Sequence, residues 1–436
     1  MAGSNPDSSA TTVSEGQQQE TQTFAFIAMT CLFFFWGFIT VLNDILIPFL
    51  KESFDLNYTQ AMLVQFCFFG AYFIVSPFAG RLIDKVGFQM GIVIGLLTTA
   101  LGCILFYPSA DLHIYGLFLF AFFVLASGIT ILQVAANPYV AALGPEKTAA
   151  SRLNLAQAAN SLGTTVGPFV GTMLILGVVA ADASAVQMPY LMIAAVLVAA
   201  ALLFRNISLP KLAHLETSDD TAGDSVWNHR SLVLGALAIF MYVGGEVSIG
   251  SFLVNYFDDM NLAVIIAENQ TMMNIANTIA STFNKTFSNS DPKSLLGIFI
   301  IFYWGGAMIG RFIGAYLTKI MSPGRVLSIF ALLAIALIAI SINTVGLLSM
   351  WSILAVGLFN SIMFPTIFTL TLEGLGDLKA QASGLLCMAI VGGAIIPFAF
   401  GSLIDGFGFK TAFILTMICY GYILYYGMIK TSKTIK

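Results

Sequence analysis

The chain has 436 residues, of which 58% are hydrophobic and 9% charged, with a net charge of −4. A soluble domain carries about 25% charged residues, so this composition excludes a water-soluble enzyme or adaptor and predicts an integral membrane protein. No basic cluster suits nucleic acid, and the five cysteines (Cys31, Cys67, Cys103, Cys387, Cys419) lie scattered in apolar stretches with no metal-ligand spacing, so no metal or cofactor is expected.

Residues 1–22 are Ser-, Thr-, Gln- and Glu-rich and hold no Lys or Arg. That composition predicts a disordered tail, and it lacks the basic n-region of a cleaved signal peptide. A spanning helix needs about 20 mostly apolar residues. Twelve such runs follow, near 24–50, 60–83, 90–108, 113–142, 150–178, 188–205, 231–257, 294–318, 326–343, 347–373, 381–402 and 410–430. The first carries Asn43 and Asp44, and the fourth carries Gln133 and Asn137, one helical turn apart and so on one face. In the fifth, Asn154, Gln157 and Asn160 form a polar stripe at i, i+3 and i+6. Glu246 lies in the seventh, Arg311 in the eighth, and Asn360 and Phe364 in the tenth.

Basic residues orient the spans. With the N-terminus inside, 14 of the 18 Lys and Arg fall on inner segments and 4 on outer ones. Both termini are therefore expected in the cytoplasm. The expected organisation is a tail (1–22), a six-helix bundle (23–205), a cytoplasmic linker (206–230), a second six-helix bundle (231–430) and a short tail (431–436). An outer loop, 258–293, interrupts the second bundle, and its first part is amphipathic enough for a short interfacial helix.

Asp44 and Glu246 stand inside apolar runs, whereas nearly every other charge lies at a boundary. An ionised, unpartnered carboxylate in a bilayer core costs several kcal/mol, so such acids mark ion, proton or substrate paths. No P-loop, nucleophile–His pair or metal cluster accompanies them, so the energy is expected from a gradient and not from ATP. A coupled transporter is expected, not an enzyme.

The two halves resemble each other. LGPEKTAAS (143–151) matches LGDLKAQAS (375–383), and Gly80-Arg81-Leu82-Ile83 recurs as Gly310-Arg311-Phe312-Ile313. A duplicated transporter with a ligand site between its halves near the midplane accounts for both. GRLIDKVG (80–87) resembles the cytoplasmic loop motif of the major facilitator superfamily. That resemblance implies a gate of charges at Arg81, Asp84 and Lys85, with Arg311 repeating Arg81 as a gate or helix-end residue. FFFWGFITVLNDILIP (33–48), LQVAANPYVAALGPE (132–146), RLNLAQAANSLG (152–163) and FPTIFTLTLEGLG (364–376) look like the fucose permease branch, and within it the glucose/galactose transporters.

The resemblance implies twelve transmembrane helices in two six-helix bundles and a small neutral sugar as cargo. It makes Asp44 a protonation and sugar-binding site. It also exposes departures. The fucose permeases carry a second acid where this chain has Gln133, and a Gln where it has Glu246. They carry Gln and Tyr where it has Met363 and Phe364. The expected proton-coupling residues are Asp44 and Glu246. The expected sugar contacts are Asn43, Asp44, Gln133, Asn137, Gln157, Asn160, Glu246, Asn360 and Phe364, because an uncharged hexose needs neutral amides and carboxylates as donors and acceptors. The combined expectation is a hexose–proton symporter, monomeric, in the lipid bilayer of the inner membrane. Sodium coupling, N-acetylglucosamine as cargo, and an antiporter exporting amphipathic or cationic compounds stand as alternatives.

Overall fold

The computed structural model describes residues 22–54, 58–171, 187–207, 209–210, 229–282 and 292–434; within them it leaves out the side chains of 42–53, 58–62, 168–171, 282, 292–293 and 433–434. Among the described residues every regular element is helical. Six helices build the first half: α1 (Thr23–Ser53), α2 (Tyr58–Val86), α3 (Phe88–Asp111), α4 (Tyr115–Ala142), α5 (Ala149–Gly171) and α6 (Gln187–Asn206). The second half holds α7 (Arg230–Asp259), the short α8 (Leu262–Glu268) and α9 (Gln270–Thr282), α10 (Pro292–Ile320) and α11 (Pro323–Asn343). It ends with α12 (Gly346–Asn360), α13 (Met363–Leu372), α14 (Lys379–Met388), α15 (Gly392–Phe407) and α16 (Phe409–Thr434).

Eleven stretches of the described residues are long and apolar enough to cross a bilayer, counting α12 with α13, and α14 with α15, as one each. Helix α5, less apolar because it carries Asn154, Gln157 and Asn160, is not among them and lies where the fifth span was expected. In the first half α3 packs on α4 and α6, α1 on α5, and α2 on α4. In the second, α11 packs on α12 and α16, α10 on α12, and α7 on α15 and α16. The halves meet chiefly where α5 lies against α10 and α2 against α14. The exterior is apolar, with Phe66, Phe78, Leu203 and Phe398 exposed, while Gln133, Asn137, Asn154 and Gln157 are buried. That inversion of the soluble pattern suits a lipid surround.

The segment after α7 forms two helices where a single one was expected. Asn269 is the cause. It takes an extended conformation between them, and its Oδ1 accepts from the Met272 backbone N–H at 3.1 Å, which caps α9. Met272, Ala276 and Ala280 then form the buried stripe of α9.

The tenth span breaks at Ser361–Ile362. Pro365 has no N–H to give Ser361, and its ring crowds that carbonyl. The freed oxygen takes the Arg311 Nε–H at 3.3 Å. Pro138, inside α4, frees the Val134 carbonyl in the same way, and Ser383 of α14 donates to it at 2.7 Å. The eleventh span breaks at a single 3₁₀ turn, Ala389–Val391, followed by Gly392 and Gly393. A side chain at Gly392 would collide with the Phe240 carbonyl, so this glycine sets how closely α15 approaches α7.

Candidate functional site

Two polar clusters face the seam between the halves. The second-half cluster starts from Asn360, the last residue of α12 and wholly buried. Its Nδ2 donates to Tyr303 Oη of α10 at 2.7 Å and to Tyr420 Oη of α16 at 3.2 Å. Tyr303 Oη donates in turn to the Glu246 backbone carbonyl at 3.3 Å. One amide thus ties α7, α10, α12 and α16 around the carboxyl-bearing turn of α7. The Tyr242 phenol, one turn earlier, lies beside the Glu246 carboxyl within hydrogen-bonding reach, and apart from each other Glu246 Oε1 and Tyr242 Oη have no partner among the described residues. The Arg311 guanidinium lies within electrostatic reach of Glu246.

The first-half cluster comes from α4 and α5. Gln133 and Asn137 project from one face of α4, and both are buried. Gln133 Oε1 and both polar atoms of the Asn137 amide have no partner among the described residues. On α5, Asn154 Nδ2 donates to Ala150 O at 2.9 Å and across the seam to Thr366 Oγ1 at 3.3 Å, while its Oδ1 is unpartnered. Asn160 turns the other way, donating to the Phe33 carbonyl of α1 at 3.0 Å. The Gln157 side chain is buried, and its backbone carbonyl accepts from Arg311 at 3.4 Å.

Leaving a buried polar atom unpaired costs about 1–3 kcal/mol. Gln133, Asn137, Asn154 and Asn360 all do so around one seam, where Tyr242 Oη and Glu246 Oε1 have only each other. The set holds one amide donor, several amide acceptors, a phenol and a carboxyl. It can receive a ligand made of hydroxyl groups, each a donor and an acceptor at once.

The structure brings Glu246, Asn360 and Arg311 into one network and places Gln133 and Asn137 together on α4. The side chains of Asn43 and Asp44 lie outside the described residues. Phe364 is buried, 7% exposed, with its ring tilted against Phe368 at a centroid distance of 5.7 Å. Of the loop charges, Arg81 and Lys85 are exposed, and Asp84 Oδ2 accepts from Gln381 Nε2 of α14 at 2.6 Å. Arg311 differs from a helix-end charge. It stands nine residues before Ile320, the end of α10, and its NH1 donates to Ser161 Oγ of α5.

Four described contacts close the seam at the end of the bundle where α1 begins and α16 ends, the terminal end. They are Gln381 to Asp84, Ser383 to Val134 O, Asn154 to Thr366, and Ser151 Oγ to Ala315 O at 2.6 Å. Sequence reasoning missed the phenol hub of Tyr303 and Tyr420, and the anchors Ser161 and Ser361. Pro365 carried a usable signal: a proline inside an apolar span orphans a carbonyl four residues earlier, and the orphan needs a donor.

The sequence model of the Major Facilitator Superfamily matches residues 25–396. The chain is 50% identical over 425 residues to the glucose/galactose transporter of Brucella abortus, covering 96% of this chain and 97% of that one. It is 32% identical over 442 residues to the L-fucose-proton symporter of Escherichia coli, covering 95% of each. The structure of the E. coli transporter FucP in the outward conformation superposes with a TM-score of 0.80 at 30% identity, covering 93% of this chain and 98% of that one.

Proposed function

The chain belongs to the Major Facilitator Superfamily, and on that footing we propose that it imports a hexose of the glucose/galactose class by proton symport. One observation carries the reading: amides of α4 and α5 in the first half hold unpaired buried atoms, and Arg311, within electrostatic reach of the Glu246 carboxyl of α7, bonds α5 across the seam of the halves. The similarity to a glucose/galactose transporter and to an L-fucose-proton symporter supports the sugar and the proton.

Sugar hydroxyls take the free capacity of Gln133, Asn137, Gln157 and Asn360, with Asn160 and Phe364 lining the route. Glu246 accepts a sugar hydroxyl and carries the coupled proton. Asn43 and Asp44 join them on the strength of the family resemblance. The positive-inside distribution supports cytoplasmic termini and the inner membrane. Closure at the terminal end is then the outward-facing arrangement, with Arg81, Asp84, Lys85 and Arg311 on the gate. Each chain holds both halves of the site, which supports a monomer as the working unit.

One proton moved across 100 mV releases about 2.3 kcal/mol. At about 1.4 kcal/mol per decade, that sustains roughly 40-fold accumulation of sugar. Uptake of labelled glucose into proteoliposomes under an imposed proton gradient, free of sodium, tests the reading. The expected result is a transient overshoot that an uncoupler abolishes and unlabelled galactose suppresses. An overshoot that appears only with sodium replaces the ion. Absence of glucose uptake under either gradient overturns the reading.

A further inference from the structure

Arg311 is a cation deep in a membrane span, about 14 Å from the end of α10 at 1.5 Å per residue, and such a charge is costly unless it serves a pairing. Among the described residues, the three acceptors it meets are all neutral. They are Ser361 O, freed by Pro365, and Gln157 O and Ser161 Oγ across the seam on α5. Among the described residues Glu246 is a carboxyl within its electrostatic reach, and the neighbour in hydrogen-bonding relation to that carboxyl is the Tyr242 phenol, not Arg311.

Every element packed around Glu246 bears on what can neutralise it. Its own helix offers Tyr242, α10 offers Tyr303 and Arg311, and α16 offers Tyr420 and Cys419. Asn360 of α12 is neutral and is spent on Tyr303 and Tyr420. Against α7, α13 sets Thr371 and α15 sets Ile396. Among the described residues, Arg311 is therefore the cation that answers a change of charge at Glu246.

We propose that Arg311 is the positioning residue through which the proton on Glu246 controls sugar affinity. With the carboxyl protonated, Arg311 holds Gln157 and Ser161, and so fixes the register of the amide-bearing face of α5 against the second half. When the proton leaves for water on the open side, the carboxylate becomes the strongest acceptor within reach. A charge-assisted hydrogen bond is about twice as strong as one to a neutral acceptor. Arg311 then swings to Glu246 and releases α5, and the sugar-binding amides lose their alignment. Proton and sugar bind together for that reason, and by linkage each strengthens the other equally.

The inference rests on the sugar reading above, and the test separates the two. Binding of labelled glucose to the full chain is measured from pH 5 to pH 9 for the wild type, Arg311→Gln, Arg311→Lys, Glu246→Gln and the double variant Arg311→Gln/Glu246→Gln. Wild-type affinity is expected to fall as pH rises. Arg311→Gln is expected to bind about tenfold more weakly at acid pH and to lose the pH dependence. Glu246→Gln, a neutral stand-in for the protonated acid, is expected to lose the pH dependence, and removing Arg311 from it returns the weak binding of Arg311→Gln alone. Arg311→Lys keeps the charge without the fork, so it retains a pH dependence at reduced affinity. It serves as the deciding variant if Arg311→Gln does not fold. A wild-type pH profile in Arg311→Gln, or wild-type affinity across the range in Arg311→Lys, overturns the inference and leaves the sugar reading standing. Absence of glucose binding by the wild type at any pH overturns the sugar reading, and the inference with it.

Discussion

At Asn137, a buried amide bonds to nothing described around it, while Asn160, six residues along the same α5 stripe from Asn154, bonds the backbone of α1. The sequence offered both amides as candidate sugar contacts, and their residue types gave no means of telling them apart. The structure separates them by what each side chain already holds. Asn137→Leu removes two unpaired polar atoms, so thermal stability is expected to hold or rise while glucose affinity falls about tenfold. Asn160→Ala breaks an existing interhelical bond, so it is expected to lose about 0.6 kcal/mol of stability. Melting curves and binding isotherms of the two variants check both. A fall in the stability of Asn137→Leu equal to that of Asn160→Ala makes Asn137 a structural residue.

Among the elements, the spans were legible because length and apolarity alone define them, and the structure carries helices at all twelve positions. The breaks in the tenth and eleventh spans were not legible, because hydropathy averages over the residues that cause them. The internal repeat misled at one position and informed at another. Arg81 and Arg311 share a motif, yet the first is exposed and the second bridges the halves. Ser151 and Ser383 share the other motif, and each donates across the seam, to Ala315 O and to Val134 O.

Ser383 satisfies a carbonyl that Pro138 has freed, and that makes it the more consequential of the pair. Its loss leaves Val134 O unpaired only in the closed arrangement. Ser383→Ala is expected to weaken closure of the terminal end by about 1 kcal/mol, a roughly fivefold shift in population. Spin labels at Lys147 and Lys379, on the connections that flank this end, read the shift as a longer-distance component. An unchanged distance distribution removes Ser383 from the gate.

For the whole molecule, the two halves contribute unlike chemistry to one seam. Among the described side chains, the first half brings neutral amides, and the second brings a carboxyl, an arginine, the Asn360 amide and a phenol hub. Its place inside an apolar run singled out Glu246, and the family resemblance marked the acid this chain lacks at Gln133. Neither disclosed that Glu246 and Arg311 sit within electrostatic reach of each other, because the two lie on different helices and only packing brings them together. On the proposed reading, the proton on Glu246 is communicated to the amides of α4 and α5 as well as to the sugar contacts of its own half. Neutralising Glu246 is expected to leave sugar exchange intact while uphill accumulation falls at least tenfold, because exchange needs no proton to leave. Counterflow and gradient-driven uptake of Glu246→Gln, measured side by side, check this. Undiminished accumulation excludes Glu246 from coupling.

The most direct measurement is proton entry driven by sugar. Proteoliposomes enclosing a pH-sensitive dye, with no imposed gradient and no sodium, receive glucose from outside. The account predicts that the lumen acidifies in step with labelled glucose entry, and that Glu246→Gln abolishes the acidification while sugar still exchanges. Glucose entry with no change in lumenal pH would contradict it.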